Sequence, residues 1–356
     1  MQLEFGIFDH TDRANRSPRE VFDMRLRLAE RYDRAGFHAY YVAEHHGTSL
    51  SISPSPNITL AAVAARTTKL RIGAMVYVLP LYNILRLIEE ICMLDQLSGG
   101  RLEVGVGRGV VPFELALYGV NHLDALDIYK EALEVLLNGL SHPVLNHRGH
   151  YYSYLNVPME TAPIQKPLPL WYGCHYGPET TVWPARANCN IALLQSASNA
   201  RPMVERFTGE WHKAHGGTDK TFPRIGLTRT LVIARDARLA EERGRRAYAA
   251  YYASMNKLWH RYGGATAHFP ADFATARAGG GVIAGTAAEV RAELERQIEQ
   301  SGVNYGIVRF AFGDLTEDEV VESLTLFVEE IMPHFQAAGP IALRQAQRER
   351  KVGRSS

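Results

Sequence analysis

The sequence predicts an α/β fold, a (β/α)8 TIM barrel, and three observations point to it. Eight short apolar runs alternate with eight longer amphipathic runs. Runs such as Ile72 to Val76 are continuously apolar, as strands covered on both faces require. Segments rich in His, Gly and Arg follow the second, fourth and fifth runs, where a barrel gathers its chemistry. An open doubly wound sheet shares the alternation, but eight units favour closure.

Leu3 to Phe8 is the first strand. Pro18 to Ala35 repeats apolar residues at helical spacing, and Gly36 is placed to cap it. Tyr40 to Ala43 is the second strand and Ile58 to Thr67 its helix. Leu70 to Val76 is the third strand, and the helix Asn83 to Ser98 stops at Gly99-Gly100. Leu102 to Val106 is the fourth strand; a loop and short turn separate it from the helix Asp124 to Gly139. His142 to Lys166 breaks the rhythm and suggests a hairpin about His150-Tyr151-Tyr152. Leu168 to Gly173 and Pro178 to Ala187 form the fifth unit, Ile191 to Leu194 and Arg201 to His215 the sixth. Ile225 to Ala234 and Asp236 to Ser254 form the seventh, Tyr305 to Phe310 and Thr316 to His334 the eighth. Residues 257–286 carry aromatics, three consecutive glycines and little periodicity. They read as a mobile lid hinged on Gly279 to Gly281, or as a passive insertion.

Residues 1–340 are expected to form one barrel domain, followed by a basic polar tail at 341–356. The 356 residues are 46% hydrophobic and 22% charged, enough for a large core. A net charge of +1 gives no field toward nucleic acid or an anionic membrane, and neither is an expected partner. No signal peptide is read at the N-terminus, and no apolar run reaches the ~18 residues of a membrane span. Cys92, Cys174 and Cys189 lack metal-ligand spacing, and their odd number argues against a disulfide framework; a reducing cytoplasm and no metal are expected.

The second strand ends in Glu44-His45-His46-Gly47. A histidine there is poised near neutral pH to move a proton; the plain alternative is a pair of satisfied loop histidines. The fourth strand ends in Gly105-Val106-Gly107-Arg108-Gly109. It lacks the dinucleotide fingerprint spacing and reads as a small-residue floor under a flat or anionic ligand, with Arg108 matched to phosphate, or as an ordinary glycine turn. After the fifth strand, Gly173 to Thr180 opens a helix at Pro178, whose amides and Thr180 hydroxyl suit a phosphate, or only an ordinary cap. Cys174 has no visible activating base.

These segments, with Arg71 to Pro80, Arg86 to Glu90, Met93 to Arg101, Gly285-Thr286, Val320 to Glu330 and Met332-Pro333, resemble the bacterial luciferase-like flavin-dependent monooxygenases. The likeness is densest from Phe37 to Gly119. It implies a monooxygenase that takes reduced FMN from a separate flavin reductase and O2 as cosubstrate. Oxygen adds at flavin C4a to give a hydroperoxide that oxidises a small hydrophobic aldehyde, ketone, terpene or alkyl compound. His45 is then the catalytic histidine. Met75-Val76 is the bulged, non-proline cis step behind the flavin ring, and Gly107 lies at the reactive-site position, where the light-emitting subunit has cysteine. Arg108, Tyr176, Gly177 and Thr180 form the phosphate cradle. Leu126 replaces a second phosphate arginine and Gln195 replaces, approximately, a tryptophan. The resemblance also implies a homodimer through the helices at 58–67 and 83–98, with Glu89 and Glu90 on its face. Related barrels use the deazaflavin F420 for hydride transfer, and a non-catalytic flavin-binding partner subunit is a further alternative.

Overall fold

The computed structural model describes residues 3–174, 177–264 and 269–337. The first half runs β1 (Glu4–Asp9), α1 (Pro18–Ala35), β2 (Ala39–Val42), α2 (Pro56–Ala64), β3 (Arg71–Val78), α3 (Ile84–Ser98), β4 (Leu102–Gly107), α4 (Pro112–Leu117) and α5 (Ala125–Ser141). The expected hairpin follows as β5 (Val144–Arg148) and β6 (Ser153–Pro158), paired antiparallel. Then come β7 (Leu170–Cys174), α6 (Val182–Arg186), β8 (Asn190–Leu193), α7 (Ala197–His215), β9 (Ile225–Ile233) and α8 (Ala237–Met255). The chain continues through α9 (Lys257–Tyr262), α10 (Phe273–Ala278), β10 (Val282–Gly285), α11 (Ala287–Ser301), β11 (Tyr305–Arg309), α12 (Glu317–Leu326) and α13 (Met332–Ala337).

Eight parallel strands close in the order β1-β2-β3-β4-β7-β8-β9-β11. Glu4↔Tyr305 to Ile7↔Val308 joins the last strand to the first, and Ile191↔Ile225 joins β8 to β9. The expected barrel is therefore the fold. A ninth parallel strand, β10, pairs with the end of β9 from Val282↔Thr230 to Gly285↔Ile233. It lies in the segment read from sequence as an irregular insertion. That segment also holds α9 and α10, and Gly280 and Gly281 donate backbone hydrogen bonds to the Arg277 and Ala276 carbonyls. The sequence reading also passed over α11, which has a capping box of Thr286 with Glu289 and buries Val290, Leu294 and Ile298. The expected final helix is divided into α12, a π turn at Phe327–Ile331, and α13. The tail at 341–356 lies outside the described residues.

The helices form for local reasons and stay because one face is covered. In α1, Ser17 and Glu20 make a reciprocal cap, Pro18 occupies the first turn, and Gly36 ends the helix at φ 80°. Val21, Met24, Leu28 and Tyr32 form its buried stripe, each apolar side chain contributing about 1.5–3 kcal/mol. Among the described residues no helix is long and apolar enough to cross a membrane.

A polar plug occupies the barrel interior. Glu103 is 1% exposed and accepts hydrogen bonds from Tyr41 Oη, Trp171 Nε1 and Arg71 Nε, each at 2.6 Å. Burial works to raise its pKa, but the nearby His38 and Arg71 charges and these hydrogen bonds hold it below the usual carboxylate range. Tyr41, Met75, Trp171, Ala192, Tyr305 and Ile307 pack around the plug. A ligand therefore has access from the opposite rim, where the strands end.

Candidate functional site

The end of β2 places His45 and His46 on different partners. His46 Nε2 donates to Glu44 Oε1 at 2.9 Å, and its Nδ1 accepts from Tyr118 Oη at 2.8 Å. Glu44 Oε2 also accepts from the Val78 amide at 2.9 Å and from Tyr82 Oη at 2.8 Å. The buried Glu44 thus ties the tip of β2 to the tip of β3, and His46 is a satisfied structural histidine.

His45 is held by a different acid. Its Nδ1 donates to Glu114 of α4, 3.0 Å from one carboxylate oxygen and 3.3 Å from the other. Burial disfavours the imidazolium, but the charge and hydrogen bond of Glu114, with Glu44 behind them, hold its pKa above the ordinary 6.5. With Nδ1 fixed on Glu114, Nε2 is the nitrogen left to take or give a proton, and it has no hydrogen-bond partner among the described residues. The His45 ring stacks on His10, from the end of β1, at 5.6 Å and 23°.

Beside this dyad β3 is irregular. The Met75–Val76 peptide is cis, at the step the resemblance indicated, and the register against β4 slips between Ala74 and Tyr77. Val76 is half-buried although its strand is covered on both sides. A β-carbon on Gly107 would collide with Val76 Cγ2, so the bulge and the β4 tip close on each other only because position 107 has no side chain. Arg108 follows, half-buried, and its charge reaches Tyr172 of β7.

At the end of β7, Gly177 has φ 126° and precedes a 3-10 turn at Pro178–Thr181. The Thr180 hydroxyl donates to the Gly177 carbonyl at 2.7 Å, so donation to an incoming phosphate requires it to rotate. Tyr176 lies outside the described residues. Burial pushes the Cys174 thiol up to about 12, which leaves it protonated and unsuited as a nucleophile. Gln195 bridges β8 to β7 by donating to the Cys174 carbonyl at 3.0 Å. Leu126 is 44% exposed and offers no charge.

Phe113 of α4 packs on Trp259 at 5.1 Å and Tyr262 at 5.2 Å, joining α9 to the helix that carries Glu114. The sequence reading named His45, Gly107, Arg108 and the Met75–Val76 step, and the structure has the last as a cis bond in an irregular strand. It missed Glu114, whose Pro112-Phe113-Glu114 setting reads as a common helix start. It also missed His10 and Arg309, which extend the interior faces of β1 and β11 by one alternate position each.

The model of the luciferase-like monooxygenase family matches residues 3–305. The chain belongs to that family. It is 36% identical over 333 residues to the uncharacterised protein y4wF of Sinorhizobium fredii, covering 93% of this chain and 97% of that one. It is 26% identical over 237 residues to the oxygenase component of the flavin-dependent trigonelline monooxygenase of Acinetobacter baylyi, 65% of each chain. Among solved structures, monooxygenase RslO1 from Streptomyces bottropensis superposes with TM-score 0.85 at 24% identity, over 94% of this chain and 100% of that one. The oxygenating constituent of 3,6-diketocamphane monooxygenase from Pseudomonas putida, in complex with FMN, gives 0.74 at 19% over 94% and 98%. An F420-dependent tetrahydromethanopterin reductase from Methanopyrus kandleri gives 0.67 at 19% over 94% and 100%. At these identities the structural likeness concerns the fold.

Proposed function

We propose that this protein is the oxygenase of a two-component system, taking reduced FMN from a separate reductase and using O2 to oxidise a small hydrophobic organic substrate. The observation that carries the reading is the juxtaposition at one rim of the Glu114–His45 pair, the Met75–Val76 bulge and the side-chain-free Gly107 next to Arg108. The residues present fit a flavin. Gly107 and the half-buried Val76 leave a flat floor for a planar ring, and Arg108 with Gly177 and Thr180 suits a phosphate. Bound reduced flavin supplies two electrons and the means of activating O2.

The chain's own residues supply position, water exclusion and a proton. Met75, Val76 and Gly107 would support the ring, while Arg108, Gly177, Thr180 and Tyr176 would hold the phosphate. Glu114 fixes the His45 tautomer and steadies its protonated form, so Nε2 can give a proton near neutral pH and take one back. The aromatic contacts of α9 with α4 support a cover over the mouth, the role proposed for residues 257–286.

Support for a reductase partner comes from the relative named as an oxygenase component. A homodimer is proposed through α2 and α3, where Ile58, Met93 and Leu97 are exposed apolar residues beside the Arg86–Glu90 pair. Hydride transfer from F420 on the same barrel is a second reading, favoured by the structural likeness to an F420-dependent reductase. A non-catalytic flavin-binding subunit is disfavoured by the His45 site. The test is a reductase-coupled assay with FMN, NADH and O2 over a panel of apolar compounds, following the incorporation of labelled oxygen. Substrate-dependent incorporation supports the proposal. Its absence across the panel, with no binding of reduced FMN, contradicts it.

A further inference from the structure

Three arginines are buried among the described residues, and their hydrogen-bond partners differ. Arg25 lies 2.8 Å from Asp9 and 3.2 Å from Asp12. Arg229 donates to the amide oxygen of Gln297 and to the carbonyls of Thr228 and Gln195. Arg309 is 7% exposed, and no carboxylate bonds to it among the described residues. Its Nε and Nη2 both donate to the Thr230 hydroxyl, at 3.1 and 2.5 Å, and Nη1 donates to His10 Nδ1 at 2.8 Å. Its guanidinium carbon lies 4.3 Å from the Tyr251 ring centre and 5.4 Å from that of Phe312.

A desolvated cation normally has a counter-charge. Asp9 and Asp12, at this end of β1, are bound by Arg25; the Asp12 charge also acts on Arg309, but without a hydrogen bond to it. A guanidinium has five N–H donors, and these contacts leave two of them unused. Because His10 Nδ1 accepts from Arg309, its ring proton resides on Nε2, a further donor without a partner among the described residues. Arg309 follows Tyr305 and Ile307 at alternate positions of β11, both in the barrel interior, so it belongs to the mouth. His10, its partner, stacks on His45 and is flanked by Phe8 at 4.7 Å and Tyr251 at 5.6 Å.

We propose that Arg309 and His10 form a carboxylate-binding site at the barrel mouth, and that the substrate is an organic acid with an apolar body. The inference rests on reading this mouth as the substrate site. A carboxylate on the two unused N–H groups supplies the hydrogen-bonded counter-charge that Arg309 lacks, and aromatic neighbours take the apolar part. Planar two-point binding of this kind is what a guanidinium offers and an ammonium does not.

The test compares benzoate with methyl benzoate as probes of the flavin-free full chain, by thermal-shift titration at constant ionic strength. Benzoate is expected to bind at least about tenfold more tightly than the ester. Arg309→Met is expected to weaken benzoate by about 10- to 100-fold and leave the ester unchanged, with Arg309→Lys intermediate. Crystals of the wild type soaked in 4-bromobenzoate give a readout free of any variant's folding, with the carboxylate expected on Arg309. Equal binding of acid and ester, no binding of either, an unaffected Arg309→Met variant, or bromobenzoate seated elsewhere overturns the proposal. Titration with reduced FMN separates the two readings. Acid preference without FMN binding leaves this site standing and removes the flavin function; FMN binding without acid preference does the reverse.

Discussion

Replacing Glu114 by glutamine keeps the size and an acceptor oxygen but removes the charge facing His45. In the native chain the carboxylate lies 3.0 Å from Nδ1, with side-chain exposure of 8% for Glu114 and 17% for His45, so solvent screens the pair only in part. A hydrogen bond to a charged group contributes about 1.5–3 kcal/mol and a neutral one about 0.5–1.5 kcal/mol. The substitution therefore costs about 1–2 kcal/mol while His45 is protonated, and much less when it is neutral. Burial opposes the charged ring, yet Glu114 holds its folded-state pKa above 6.5. The stabilisation is thus complete below pH 6.5 and is lost as pH rises through the raised value. Urea unfolding of both proteins at about pH 6 and about pH 9 measures it. The deficit of Glu114→Gln is expected to be largest at the lower pH and to shrink at the higher one. In turnover, the limb that reports protonated His45 is expected to move to lower pH in the variant. A deficit independent of pH, or larger at the higher pH, refutes the assignment of Glu114 as the partner of an ionising His45.

Other substitutions address separate parts of the account. His45→Gln is expected to lower turnover by about 10²–10⁴-fold while reduced FMN still binds; stopped-flow turnover beside a flavin titration checks both. Gly107→Ala drives a β-carbon into Val76, with an expected cost of about 1–3 kcal/mol and weaker flavin binding, read by thermal denaturation and titration. Thr286→Ala removes the cap of α11 and is expected to cost about 1 kcal/mol in urea unfolding with no change in flavin affinity. Leu97→Arg, on the exposed face of α3, is expected to convert a dimer to a monomer in sedimentation equilibrium.

The barrel was legible because its strands are continuous apolar runs and most of its helices carry a regular stripe, as Val21, Met24, Leu28 and Tyr32 do in α1. What failed was local and has local causes. The run Val282 to Gly285 is only four residues long, and at that length a buried strand and a loop look alike. α11 did carry its signal, Thr286 and Glu289 at capping-box spacing and then Val290, Leu294 and Ile298, but it follows directly on the segment read as a lid. His45 could be found from its place at a strand end. Glu114 could not, because a sequence separation of 69 hides a contact that arises only when the third and fourth strands fold alongside the second. Proximity of Glu44 to both histidines in sequence was equally uninformative about which ring it holds: the structure gives it His46. Arg309 looks like the end of an ordinary strand until the ring closes and places it against His10.

The central claim is that the strand ends around His45, the β3 bulge, Gly107 and Arg108 bind one reduced flavin mononucleotide. Anaerobic spectroscopic titration of the purified chain with reduced FMN, run beside reduced F420, tests it most directly. The account predicts saturable binding of one FMN per chain, sharply weakened by Arg108→Ala and retained in His45→Gln. Saturation by F420 alone, or no binding of either cofactor, contradicts it.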